Sequence, residues 1–299
     1  MSQIFDALHE FQRERAGSDP RDFSAAKELL EVVERKAGSP RALVPDSSHR
    51  PEGREFVPTA TPATDFCPDR KLVCLTQSES LAAEKFRFLA IRLRHLQQKR
   101  PVKRILITSS VAAEGKSMVA GNLACALAAG KQQVLLLDGD LRRPWLARQF
   151  GLGERAGLSE LLENGSGSSH NVYKLEGSGL CVLPAGVTAS NPLELMQLGK
   201  LSAVMDRLSA SFDWIVIDSP PLLPLADTSI WMRLADTIIL VTRPGMTEKR
   251  QLQRALEMVE HSKLLGAVLN ASSEATAGNY YYHRYTHSAA SQAPTPSAR

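Results

Sequence analysis

Five short apolar runs constrain this chain more than any other feature. They lie at Arg104–Thr108, Val134–Leu137, Trp214–Ile217, Thr237–Thr242 and Leu264–Leu269. Each is rich in Ile, Val and Leu and runs without alternation. A strand with one wet face alternates apolar and polar residues, whereas a continuous run is dry on both faces. Helical patterns separate the runs at 116–129, 198–210 and 247–260, and another precedes the first run at 78–98. Alternating β and α elements predict an α/β fold, a doubly wound and mostly parallel sheet with helices on both faces.

The ends of the chain read differently. Residues 2–15 predict a short amphipathic helix with Ile4, Leu8 and Phe11 on one stripe and Phe5 beside them. A second helical pattern covers 21–36. Prolines 40, 45, 51, 58, 62 and 68 then mark an extended linker over 37–70. The folded domain is expected over 71–270, and a polar tail over 271–299. The formal charge of +4 is too small to imply nucleic-acid binding. No run of 18 apolar residues crosses a membrane, and Met1–Asp6 has no secretory character. Cys67, Cys74, Cys125 and Cys181 lack metal-ligand spacing and read as reduced thiols of a cytosolic protein.

The first run leads into Ser109-Ser110-Val111-Ala112-Ala113-Glu114-Gly115-Lys116-Ser117 and then a helix. Strand, loop and helix N-terminus in that order form an anion cradle. The nucleotide-binding stretch is Ala113, Glu114, Gly115, Lys116, Ser117 and Met118. Lys116 is placed to reach the β- and γ-phosphates of ATP, and the Ser117 hydroxyl to ligate Mg2+. The loop is deviant, because Ser110 stands where the common pattern has its first Gly, and Ala113 where related loops often have another.

The second run ends in Asp138-Gly139-Asp140-Leu141-Arg142-Arg143-Pro144, and the third in Asp218-Ser219-Pro220-Pro221. Carboxylates at the C-terminal ends of parallel strands face the crevice where such sheets bind ligands. Beside a phosphate loop they supply what phosphoryl transfer needs, a metal site and a group that orients the nucleophile.

Those motifs resemble the bacterial tyrosine autokinases of polysaccharide biosynthesis, a branch of the MinD/ParA-like P-loop superfamily. Ala113–Ser117 is similar to their Walker A, Leu135–Arg142 to their second Walker A′ motif, and Ile215–Pro221 to their Walker B. Gly157–Leu162 and Asn191–Leu195 are similar too, and the likeness spans about 76–285. It implies catalytic roles for Lys116, Asp138, Asp140 and Asp218, with Ser117, Asp138 and Asp218 at the metal. The base stays open between Asp138 and Asp140. Arg243 and Asn270, at the ends of later strands, are the expected nucleobase contacts. The family's Glu-x-x-Arg-x-x-Arg self-association motif is incomplete. Glu84 and Arg87 match, Ala90 does not, and Arg92 and Arg94 lie nearby.

Four of the five tyrosines, Tyr280, Tyr281, Tyr282 and Tyr285, crowd into the polar tail. Aromatic residues are normally scarce in such segments. They read as phosphoacceptors that a flexible tail could deliver to a neighbouring subunit. The function expected is ATP-dependent autophosphorylation that regulates exopolysaccharide or capsule synthesis. The resemblance implies a homo-oligomer and a membrane polysaccharide copolymerase as activator, with membrane contact through that partner at the cytoplasmic face. The N-terminal stripe is a candidate docking element. The alternatives are a MinD/ParA-like positioning or partitioning ATPase, or an ATP-binding scaffold. Such switch ATPases normally carry a second lysine five residues before the loop lysine, and Val111 stands there.

Overall fold

The computed structural model describes residues 59–61, 68–163, 171–175, 179–187, 191–196, 198–223 and 226–271. The two N-terminal helical patterns, Cys67 and the tyrosine cluster lie outside these residues. The five apolar runs are all strands. In chain order the strands are β1 Thr59–Thr61, β2 Arg104–Ser109, β3 Val134–Asp138, β4 Tyr173–Leu175, β5 Leu180–Leu183, β6 Trp214–Asp218, β7 Thr237–Thr242 and β8 Leu264–Leu269. They form one sheet in the order β1-β4-β5-β3-β6-β2-β7-β8. All neighbouring pairs are parallel except β4 with β5. Strand β1 falls inside the expected linker, and the sequence patterns gave no sign of β4 and β5.

Successive strand residues point to opposite faces, and here both faces are dry. Leu106, Leu135, Leu137, Ile215, Ile217 and Leu240 enter one core. Ile105, Ile107, Val134, Leu136, Val216 and Ile239 enter the other. Fully burying one such side chain stabilises the fold by about 1.5–3 kcal/mol, so neither face tolerates exposure. The expected doubly wound layering is the one observed. Strand β8 is the exception, at the rim, with Leu265, Gly266, Ala267 and Leu269 exposed.

The helices that matter here are α1 Val73–Thr76, α2 Leu81–Lys99, α3 Lys116–Ala128, α4 Leu146–Gln149, α5 Leu158–Glu163, α6 Pro192–Leu195, α7 Leu198–Ser211, α8 Asp227–Leu234 and α9 Lys249–Met258. Beyond its first turn helix α3 is apolar on every side except at Asn122, and every residue from Val119 to Ala128 is buried. That pattern belongs to a helix sealed between other elements. Helices α1 and α2 cover it. Asn122 in its interior pins α1, accepting from Cys74 N–H at 3.0 Å and donating to Lys71 C=O at 2.8 Å.

Helix α2 starts where Ser80 caps it, accepting from Ala83 N–H at 3.2 Å. Its charged residues divide by use. Arg94 donates to the carbonyls of Ala126 and Leu127 at 3.1 and 2.9 Å, satisfying orphan groups at the end of α3. Glu84 and Arg87 pair with each other at 2.5 Å, one turn apart. Arg92 lies 5.4 Å from the centre of the Phe88 ring.

Candidate functional site

The phosphate loop joins β2 to α3 and needs unusual backbone angles twice. Gly115, the N-cap of α3, has φ +91°, and a Cβ there would collide with the Asn270 side chain. Ala113 has φ +66°, a left-handed conformation that costs a non-glycine residue about 1–2 kcal/mol. This explains why related loops carry glycine at that position. Ala113→Gly removes the strain, at about 0.4–1 kcal/mol of extra unfolded-chain freedom. It is therefore expected to leave stability unchanged or raise it by up to about 1 kcal/mol. Urea denaturation checks this, because a lowered midpoint would mean that the loop is unstrained.

The loop is held from behind by contacts the motif does not announce. The Glu114 side chain is fully buried. Its Oε2 accepts from Val111 N–H at 2.9 Å, and its Oε1 accepts from the Thr247 hydroxyl in the turn after β7. Asn270, just past β8, donates from Nδ2 to the Glu114 carbonyl at 2.8 Å. Glu114 was expected among the nucleotide contacts. Its side chain points into the protein, so only its backbone can serve a nucleotide.

Lys116 opens α3 and points at the acids. Its Nζ lies 3.3 Å from Asp140 Oδ2, 3.6 Å from Asp218 Oδ1 and 3.4 Å from Ser117 Oγ. Asp138 and Asp218 are register partners on the adjacent strands β3 and β6. Gly139 lets these strand ends approach, since a Cβ there would press on Trp231 and on the Asp218 carbonyl. Gly139 N–H donates to that carbonyl at 2.7 Å. Asp138 Oδ2 accepts from the N–H groups of Trp145 and Leu146, both at 3.0 Å. Asp140 Oδ1 accepts from Arg143 N–H at 3.0 Å.

Burial sets the electrostatics. It raises the Asp138 pKa to about 7, with help from the Asp218 charge and against the two backbone donors. Burial also raises the Asp218 pKa, although the Lys116 ammonium opposes the shift. For Lys116 burial disfavours the charge, but Asp218, Asp140 and Asp138 outweigh it and lift the pKa above its usual value.

A fully buried carboxylate normally has hydrogen-bond partners. No donor bonds either oxygen of Asp218 closely: the Lys116 ammonium stands 3.6 Å from Oδ1 and, with the Ser117 hydroxyl, favours its charged form, an arrangement that leaves the carboxylate open to a cation. Among the described residues no group of three or more His, Cys, Asp or Glu forms a metal cage. Such a site suits Mg2+, which takes one or two carboxylates and completes its shell from phosphates and water.

A cleft of about 1520 Å³ opens over this cluster. The loop residues Ala113, Gly115, Lys116, Ser117 and Met118 line it, with Asp140, Arg142, Arg143, Trp145, Arg243 and Asn270. Arg243 and Asn270 thus border the same space as the phosphate loop. Asn270 also has the structural bond to Glu114, which sequence reading missed. Asp227 was missed as well. It receives Arg142 at 2.6 and 3.1 Å and ties the Asp138–Arg143 loop to the start of α8. The two residues are far apart in sequence, and no local pattern links them. Tyr280, Tyr281, Tyr282 and Tyr285 fall outside the described residues.

The chain is similar to known proteins over this region. The family model described as ParA, the NUBPL iron-transfer P-loop NTPases, matches residues 101–288. Tyrosine-protein kinase YwqD of Bacillus subtilis is 33% identical over 72% of this chain and 91% of its own. The putative tyrosine-protein kinase CapB of Staphylococcus aureus is 32% identical, over 69% and 91%. Among solved structures, the chimerical protein CapA2B2 aligns with a TM-score of 0.64 at 30% identity, over 68% of this chain and 91% of that one. The VpsO kinase domain aligns with a TM-score of 0.58 at 32% identity, over 66% and 98%. On this likeness, and with the phosphate loop and its acids in place, the chain belongs to the ParA-type P-loop NTPases and, among them, to the bacterial tyrosine-protein kinases.

Proposed function

We propose that the protein transfers the γ-phosphoryl group of ATP to its own C-terminal tyrosines. The observation that supports this most is the pairing of Asp138 with Asp218 on adjacent strands, with Lys116 within 3.6 Å of Asp218. One acid can hold a metal while the other takes a proton. The four clustered tyrosines follow in sequence after the strand that borders the cleft.

In this reading the backbone of Ala113–Met118 wraps the phosphates and Lys116 bridges the β- and γ-oxygens. Ser117 and Asp218 would hold Mg2+, which would supply charge neutralisation on the phosphoryl group. Asp138 takes the proton, because a carboxyl with a pKa of about 7 is matched to neutral pH. Asp140 keeps Lys116 in position through its 3.3 Å contact. The tyrosine Oη forms a bond to Pγ, and its proton passes to Asp138. The bond from Pγ to the bridging oxygen breaks, and ADP leaves with the electron pair. Arg243 and Asn270 border the space for the base. The domain assigned to this chemistry is 71–270 together with β1, which pairs with β4 in the same sheet, between the N-terminal segment and the 271–299 tail.

The relatives' names extend the proposal to a pathway. The succinoglycan biosynthesis transport protein ExoP of Rhizobium meliloti is 30% identical over 74% of this chain and 30% of its own length. That likeness supports a role in regulating polysaccharide synthesis or export, and our reading adds a homo-oligomer activated by a membrane copolymerase at the inner membrane face. No helix among the described residues is long and apolar enough to cross a membrane, so membrane contact is assigned to the partner.

Mapping phosphate by mass spectrometry tests the chemistry. Dephosphorylated wild type incubated with Mg2+ and ATP is expected to gain phosphate on Tyr280, Tyr281, Tyr282 or Tyr285. Asp138→Asn is expected to be slower by about 10²–10⁴-fold, the usual contribution of a general base. ATP hydrolysis without tyrosine phosphate would favour a switch ATPase. Binding without hydrolysis, even with an activating partner, would favour a scaffold.

A further inference from the structure

Trp145 has no task in the scheme above. The chain has three tryptophans. Trp214 and Trp231 are fully buried, whereas Trp145 is 38% exposed and lines the cleft. Its backbone N–H bonds Asp138 Oδ2 at 3.0 Å, which anchors the indole beside the proposed proton acceptor. The Arg148 guanidinium sits 5.0 Å from the centre of its ring, fixing the indole and leaving the rest to solvent. Lys71 and Arg143 line the same cleft, and neither makes an ion pair among the described residues. An exposed aromatic surface with two further cations lining the same cleft suits an aromatic, partly anionic ligand.

We infer that Trp145 is a specificity-determining residue for the acceptor. Its indole stacks on an aromatic ring next to the reacting tyrosine, so the site prefers a tyrosine flanked by tyrosines. Lys71 and Arg143 tolerate or favour a flanking ring that already carries phosphate, because phosphotyrosine pairs readily with cations. The ligand class is an aromatic-rich peptide, and the 280–285 cluster has that composition. The inference rests on the autokinase proposal for the reaction, but the stacking itself can be tested without catalysis.

The test uses the full chain with Tyr280, Tyr281, Tyr282 and Tyr285 changed to Ala, so that the subsite is free. A peptide of residues 276–288 is added, beside a second peptide in which only Tyr281 remains. Because Trp145 is the exposed tryptophan, acrylamide quenching reports on it selectively. The first peptide is expected to shield it at concentrations about three- to tenfold lower than the second, the span an aromatic pair contributes. With Mg2+ and ATP present, Trp145→Ala is expected to raise KM for the first peptide by the same factor. It should leave kcat and the KM of the single-tyrosine peptide unchanged, and Trp145→Phe should restore most of the effect.

Equal shielding by both peptides, or an equal rise in KM for both in Trp145→Ala, would overturn the inference. Shielding that discriminates between the peptides, with no phosphate on either even when an activating partner is present, would keep the stacking subsite and reject the autokinase proposal.

Discussion

Lys116→Met is expected to destabilise the nucleotide-free protein strongly at pH 8 and only weakly at pH 5. It is also expected to abolish tyrosine phosphorylation. The lysine side chain is 13% exposed and that of Asp218 1%, so the pair is largely withdrawn from water. Removing one partner of a buried pair costs about 3–5 kcal/mol, because the other charge is left uncompensated. For a domain of this size each kcal/mol moves Tm by about 2–4 °C. The sign of the pH effect follows from the acids. Burial already raises Asp138 to about 7 and Asp218 above its usual value. Without the lysine both rise further above their unfolded value of about 3.9. The folded state then binds more protons than the unfolded one, so stability falls as pH rises from about 4 through 7 and beyond. Thermal melts of wild type and variant across that range check it. A deficit that is the same at both pH values would mean that the lysine stabilises through packing and not through charge.

Asp218→Asn should move stability the other way. Both carboxylate oxygens are buried with the Lys116 ammonium 3.6 Å away, and burial still raises the Asp218 pKa, so the charge costs free energy even beside the ammonium. A neutral amide of nearly the same shape removes the desolvation cost, while Lys116 keeps Asp140 at 3.3 Å. The amide is itself unsatisfied, which takes back part of the gain. The net expectation is about 1 kcal/mol of added stability at pH 8, or about 2–4 °C in Tm. Because the folded-state pKa of Asp218 is raised, its destabilisation is present at high pH and disappears toward pH 4, where the carboxyl is protonated in both states. The same variant should lose phosphoryl transfer by at least about 10²-fold, since it removes a proposed metal ligand. A more stable and inactive protein is the expected mark of a functional carboxylate. A less stable one would give Asp218 a structural role.

The strands that carry the chemistry were legible because the environment that makes them also writes them. β2, β3, β6 and β7 are interior strands, and burial on both faces demands unbroken apolar runs, whereas β8 carries such a run at the exposed edge of the sheet. β4 and β5 are three and four residues long, too short to display a period. β1 escaped notice because its three residues sit among prolines. The loop lysine and the acids were legible for a similar reason, each standing at the end of a readable strand. The supports of the loop were not. Glu114 finds Thr247, Arg142 finds Asp227, and Asn270 finds Glu114 only after the chain has folded back on itself. Glu114 shows the limit most clearly, because its position in the motif suggested a nucleotide contact and burial turned its carboxylate inward. Arg94 is a parallel case. On charge pattern it belonged to a possible assembly surface, whereas its guanidinium closes the end of α3.

The Glu114 carboxylate can also be viewed as a strut. One end is set in the loop that grips phosphate, through Val111 N–H, and the other in the turn between β7 and α9, through Thr247. That turn carries Arg243 and the half-exposed Met246. A strut transmits load in both directions. A displacement of the outer turn is therefore expected to reach the phosphate loop through Glu114, and tightening of the loop around a phosphate to reach the turn. The outer turn and the phosphate loop are thus joined through the carboxylate of one buried side chain.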